Sequence, residues 1–179
     1  MTIYCDGACH PYNPGGYACW AWMASSGEQD YGCIGYGDGM TNNVAEYEAV
    51  IHALRWANDN SKRGFTVKTD SKLVVKQSTG KWAVNAEHLK AKVAEVQLLM
   101  KQVCAKIKWI PREANQKADA LARRAFREAI GQECNAPKTW KSRPATDKQL
   151  YWLYKLGHRQ LNLTRAEASQ VLAQLFKEE

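Results

Sequence analysis

Four acidic residues, Asp6, Glu46, Asp70 and Asp119, stand in stretches where carboxylates are seldom left to water. Asp6 closes the apolar run TIYCDGA just before Gly7 and Ala8. Glu46 shares a helical face with Val50, Ala53 and Ala57, at spacings of four, seven and eleven, and so points toward a core, whereas Glu48 is better placed to face water. Asp70 ends FTVKTD and opens SKLVVKQ, and Asp119 lies among Ala118, Ala122 and Ala125, a small-residue surface that permits close packing. Each has a structural alternative: a turn-capping aspartate, a glutamate helped by a helix dipole, an N-cap, or a partly exposed helix acid. Taken together they could form a site. Clustered carboxylates repel and shift one another's pKa values. Hard divalent ions with oxygen ligands relieve that repulsion, and a pair of them suits phosphodiester hydrolysis: one activates water while both stabilise the developing charge. Magnesium is the natural candidate.

The segment CDGACH offers a competing chemistry, a soft-metal site on Cys5, Cys9 and His10. The two-residue period of a strand places Tyr4 and Asp6 on one face and Ile3 and Cys5 on the other, so Cys5 would have to turn back toward Cys9. No fourth ligand stands at a familiar zinc spacing. Asp6 is therefore the functional residue of the segment, Cys5 a core residue, and His10 a turn-surface residue.

Positioning four acids together requires a particular order of elements. Residues 2–8, 17–26 and 31–37 read as three successive strands in a meander, the third with glycines at 32, 35 and 37 of the kind that mark a bulge. A helix follows to about residue 58, with Asn42 or Asn43 as its cap, then a strand over 65–70 and a short helix in DSKLVVKQ. A longer helix spans about 86–104, a strand 105–110, and a closing helix 115–129 with an asparagine available near its start. This order describes an α/β domain of five strands in a mixed sheet with flanking helices. If the first and fourth strands are neighbours, Asp6 and Asp70 meet at one sheet end. Residues 131–145 break the periodicity as a linker. Residues 146–179 form a small helical extension: one helix carries Leu150, Leu153, Tyr154 and Leu156 and ends near Gly157, and a second starts at Thr164 with Glu167 at capping-box spacing.

Composition bounds the rest. A chain of 179 residues with 45% hydrophobic residues and seven tryptophans holds one full-sized core and a small appendage. Six cysteines in a chain of this size read as reduced packing thiols. No run of about 18 apolar residues and no apolar leader is present, which sets the expectation of a cytoplasmic protein without a membrane partner. The formal net charge of +7 favours a polyanionic partner without establishing one.

YCDGAC, TNNVAEYEAV, VKTDSKLVV and ANQKADALAR together resemble, in order and spacing, the ribonuclease H type 1 family over residues 1–130. The resemblance implies a ribonuclease H-like fold and an Asp-Glu-Asp-Asp quartet matched by Asp6, Glu46, Asp70 and Asp119. It further implies endonucleolytic cleavage of the RNA strand of RNA/DNA hybrids, giving 5′-phosphate and 3′-hydroxyl ends with Mg2+, two ions in the working complex, or Mn2+. It places Cys9, Asn13, Asn42 and Asn43 near the hybrid, Lys72 where the family often has a glutamine contacting a nucleotide, and Trp82 against DNA sugars or over the sheet edge. Asparagines suit a 2′-hydroxyl, to which they can both donate and accept.

Two features depart from the best-known bacterial form. WIPREANQKAD lacks the loop histidine before the last aspartate, leaving Arg112 and Glu113 as nearby candidates; Arg112 could engage a phosphate or the scissile region, or form a surface salt bridge with Glu113 or another acid. STGKWAVN stands where many relatives insert a lysine-rich handle, although residues 60–92 still hold eight Lys or Arg against two acids. In the extension, Lys141, Arg143, Lys148, Lys155 and Arg159 are candidate phosphate contacts. The rival role for that extension is docking of its Leu/Tyr stripe on the main domain. A monomer with no obligate protein partner is expected. Other function classes are a related DNA nuclease or strand-transfer enzyme and a non-catalytic hybrid-binding module; cleavage assays on hybrid and on DNA separate the three.

Overall fold

A computed structural model of the chain describes residues 1–131 and 145–177. Five strands form one mixed sheet in the order β3-β2-β1-β4-β5. β1 (Thr2–His10), β2 (Gly15–Ala24) and β3 (Gln29–Gly37) make the antiparallel meander, while β4 (Thr66–Thr69) and β5 (Lys106–Trp109) add in parallel beside β1. The β2/β3 register shifts between Ala18 and Cys19, opposite Gly35 and Cys33, so the glycine-rich strand does carry an irregularity. α1 (Asn42–Asp59), α2 (Lys72–Ser78), α3 (Glu87–Gln102) and α4 (Gln116–Ala129) complete the main unit, and α5 (Asp147–Lys155) and α6 (Arg165–Leu175) the extension. Among the described residues no helix is long and apolar enough to cross a membrane.

Alternation on β1 buries Ile3 and Cys5 under α1 and α3, in a core with Val50, Ile51, Leu54, Val96 and, from the neighbouring β4, Val67. Glu46 joins that side because Val50, Ala53 and Ala57 of its face are buried there. Glu48, expected to face water, is instead ion-paired with Lys92 of α3 and lies 3.7 Å from His52.

A second core fills the other face of the sheet. Phe126 and Ile130, at the end of α4, meet Cys19, Leu150, Leu153, Leu161, Leu163 and Ala168. The extension is therefore docked, and Arg127 reinforces it by an ion pair with Asp147 at 2.7 Å. His10, expected on the turn surface, is half-buried here with its ring stacked on Phe126 at 5.1 Å. Both extension helices open with capping boxes, Thr146 with Gln149 and Thr164 with Glu167. Cys19 and Cys33 are joined in a disulfide, correcting the expectation of thiols throughout: they lie opposite each other on neighbouring strands, 4.0 Å apart at Cα. Cys5, Cys9 and Cys104 are free. The predicted linker lies, apart from its first and last residues, outside the described residues, as do Lys141 and Arg143.

α1 crosses β1 in close contact because residue 7 is glycine. A Cβ there would lie 2.2 Å from both Ala45 C and Glu46 N, inside the helix backbone. Gly7→Ala is expected to cost about 3 kcal/mol, at the upper end for overpacking, and to push Glu46 from its place. Urea unfolding reads the first effect and divalent-ion affinity the second.

Candidate active site

The parallel pairing of β1 with β4 sets Tyr4 opposite Lys68, and two residues further along each chain come Asp6 and Asp70. α1, seated on Gly7, brings Glu46 to the same place. One carboxylate oxygen from each of Asp6, Glu46 and Asp70 lies within 4.8 Å of the other two, with Asp6 buried and the others half-buried. Burial, and then the charges of Asp70 and Asp119, push the Asp6 carboxyl up to about 8. Burial together with Asp6 and Asp70 drives Glu46 well above the usual carboxylate range.

Neutral donors hold these acids in place. The buried Thr69 hydroxyl donates to Glu46 Oε2 at 3.3 Å and accepts from the Ser71 amide at 3.0 Å. Asn115, 1% exposed, donates from Nδ2 to Cys5 O at 2.9 Å, Asp70 Oδ1 at 3.1 Å and Asp6 Oδ1 at 3.4 Å. Its own Oδ1 is buried and, among the described residues, has no hydrogen-bond partner. The Trp109 indole N–H donates to Asp70 O at 3.0 Å, and the Lys72 ammonium lies 4.8 Å from the centre of the Trp109 ring.

Three oxygens converging at this spacing, those of Asp6 and Glu46 raised in pKa by burial and by neighbouring charge, fit a hard divalent cation, which would supply the charge they lack. Among the described residues, Cys5, Cys9 and His10 form no such group.

Asp119 is set apart. Arg112 Nη2 and Arg123 Nε each hold it at 2.9 Å. Burial raises its carboxyl, but the two guanidiniums outweigh that and leave it below its ordinary value. Of the four predicted acids, then, three share one site, and the fourth stands beside it as an ionised partner of two arginines whose charge reaches Asp6. Arg112 pairs with Asp119, so the salt bridge that the sequence allowed is present, made to an acid other than Glu113.

The other predicted site residues fall in two places. The Cys9 amide donates to Asn42 Oδ1 at 2.7 Å, the Asn42 amide donates to Asn13 Oδ1 at 3.0 Å, and the Cys9 thiol donates to Met40 O at 3.5 Å. These bonds tie the end of β1, the following loop and the start of α1 together, with Asn13, Asn42 and Asn43 exposed. Lys72 lies over Trp109 on the other side, and Trp82 is half exposed.

Sequence reading missed Asn115, Thr69, Trp109 and Arg123. Asn115 was expected near the start of α4 as a cap, yet its side chain makes no cap bond and turns inward to the carboxylates. Thr69 was legible in principle, since the strand period puts it on the Val67 face that packs beneath α1. Neither Asn42 nor Asn43 caps α1; Thr41 does, accepting from the Val44 amide at 3.1 Å. Likewise Ser71 rather than Asp70 caps α2, which leaves the Asp70 carboxylate to the site.

A meander of three strands extended by two parallel ones, with acids at the ends of β1 and β4 and on α1, is a ribonuclease H-like domain. Residues 4–125 match the reverse transcriptase-like family. The chain is 40% identical over 134 residues to ribonuclease HI of Halobacterium salinarum, covering 72% of this chain and 65% of that protein. The crystal structure of RNase H1 from the same archaeon superposes with a TM-score of 0.63 at 34% identity, over 71% of this chain and 97% of that one. LC11-RNase H1, solved in complex with an RNA/DNA hybrid, gives 0.64 at 30% identity, over 73% and 99%. The chain belongs to the ribonuclease H type 1 family. It spans 65% of the length of the curated halobacterial relative, and the family match ends before α5 and α6.

The raised pKa of Asp6 has a measurable consequence. A carboxyl raised from 3.8 to about 8 by folding contributes stability that is fully present below its unfolded pKa and is lost as pH rises through its folded one. Asp6→Asn, which cannot ionise, is therefore expected to gain stability relative to the parent protein between pH 4 and pH 8 in metal-free buffer, by on the order of a few kcal/mol. Paired denaturant titrations across that range check it.

Proposed function

We propose that this protein is an endoribonuclease that hydrolyses the RNA strand of RNA/DNA hybrids, leaving 5′-phosphate and 3′-hydroxyl ends. The observation that carries the reading is the convergence of Asp6, Glu46 and Asp70 on a fold shared with a relative solved on a hybrid. Asp6, Glu46 and Asp70 would hold divalent ions, two in the working complex, with Asp119 completing the set. Bound magnesium, or manganese in its place, supplies Lewis acidity and an activated water.

The chain's own residues do the rest. Asn115 and Thr69 hold the carboxylates in a fixed relative geometry, so that little reorganisation accompanies ion binding. Asp119 is kept ionised by Arg112 and Arg123. Arg112 is 67% exposed in its side chain and can exchange its carboxylate partner for a phosphate oxygen, a use suited to its planar fork of donors. The exposed Asn13, Asn42 and Asn43 present amides able to donate and accept at a 2′-hydroxyl, the group by which RNA is told from DNA.

Strand-labelled hybrid, duplex DNA and duplex RNA incubated with and without magnesium test the reading. Loss of the RNA strand of the hybrid alone, and only with the ion, is expected; an intact RNA strand, or preferential cutting of DNA, contradicts it. Asp70→Asn keeps the volume of the side chain while removing its charge, so turnover should fall at least about a hundredfold, as expected when several kcal/mol of charge stabilisation is lost, with no loss of melting temperature.

A further inference from the structure

The docking of α5 and α6 is explained by their leucines and Ala168, which close the second core. It does not explain what the extension presents at the end of β1. There His10, Tyr17 and Tyr36 stand side by side across three strands, and Tyr17 stacks on Tyr36 at 5.2 Å. Tyr12, the neighbour of Asn13, packs 4.7 Å from Tyr154 and 6.2 Å from Tyr151, both on α5. The Arg159 guanidinium lies 4.4 Å from the centre of the Tyr154 ring. The loop that supplies Asn13 to the Cys9–Asn42 network is thus shared, through Tyr12, with the extension.

The charge of this surface is one-sided. Lys148, Lys155 and Arg159 are exposed, and none of them forms an ion pair among the described residues. The acids of the described extension are engaged: Asp147 by Arg127 and Arg123, and Glu167 by the Thr164 cap. Aromatic faces beside unpaired cations make a surface on which a nucleic-acid strand can lie, its bases or sugars against the rings and its phosphates on the cations. A guanidinium held against a tyrosine ring is partly ordered while it can still donate, so less entropy is lost when a phosphate binds.

We propose that Tyr12, Tyr151, Tyr154, Lys155 and Arg159 form a strip that binds the backbone of the RNA/DNA hybrid beyond the Cys9–Asn13–Asn42 network, lengthening the footprint of the main domain. The proposal rests on the hybrid reading above and adds to it a contact surface built half from the extension. It also accounts for the short STGKWAVN segment: affinity that a lysine-rich insertion would supply on one side of the site comes here from the other.

The test uses the full chain carrying Asp70→Asn, so that hybrids are not cut, and measures binding by fluorescence anisotropy. Two hybrids are compared, a short one of about 8 base pairs and a long one of about 18. Lys155→Glu with Arg159→Glu should weaken the long hybrid about tenfold or more at low salt and lower the salt slope by about 2, one per phosphate contact. Affinity for the short hybrid and the melting temperature should be nearly unchanged. Lys101→Glu with Lys106→Glu, an equal charge change at the opposite end of the sheet, should have a much smaller effect. Unchanged affinity for the long hybrid overturns the strip, as does equal weakening by the control pair, which would show only a long-range field. Parallel assays of the parent chain keep the two readings apart. If it cuts neither hybrid, the functional reading fails and the strip with it; if it cuts both while the strip variant binds normally, the strip alone fails.

Discussion

The constraint on which the structure turns is the mutual repulsion of three partly or wholly buried carboxylates, with one oxygen from each inside a 4.8 Å neighbourhood. Such a cluster opposes folding at neutral pH unless protons or cations neutralise it. The fold brings the acids together by backbone means. Parallel pairing aligns β1 with β4, and Gly7 removes the one side chain that would keep α1 away. Thr69 and Asn115 then satisfy carboxylate lone pairs without adding charge. A scaffold that spends burial on three like charges is arranged for a ligand of opposite sign.

The fourth acid obeys the opposite physics. Asp119 sits in a field of two guanidiniums and stays ionised, while Asp6 and Glu46 are pushed toward protonation. Arg123 links this acid to the extension, since its Nη1 also reaches Asp147 at 3.5 Å. Arg127, one turn further along α4, makes the stronger bond to the same aspartate and a second to the Ala145 carbonyl. The extension is thus attached through the helix that carries Asp119, by apolar packing on one side and by charge on the other.

Much of this was legible in the sequence because it depends on short-range periodicity. The period of two separates Asp6 from Cys5, the helical period turns Glu46 inward, and the order of elements permits β1 and β4 to be neighbours, as they are in the sheet. What escaped depends on contacts between distant segments. Asn115 looks like a helix cap until its partners, residues 5, 6 and 70, are known. Asp119 looks like the equal of the other acids until Arg123, one turn away, is seen to claim it. The Cys19–Cys33 disulfide follows from a strand register that composition does not specify. His10 reads as a surface residue of the turn because the Phe126 ring that covers it lies on an element more than a hundred residues later.

If repulsion within the cluster is what prepares it for cations, the metal-free protein holds protons there at neutral pH and must give them up when an ion binds. Calorimetric titration with magnesium at pH 7, repeated in buffers of different ionisation enthalpy, counts those protons directly. The account predicts release of about one proton or more per protein molecule on saturation. Binding without proton release, or no binding of magnesium at all, would contradict it.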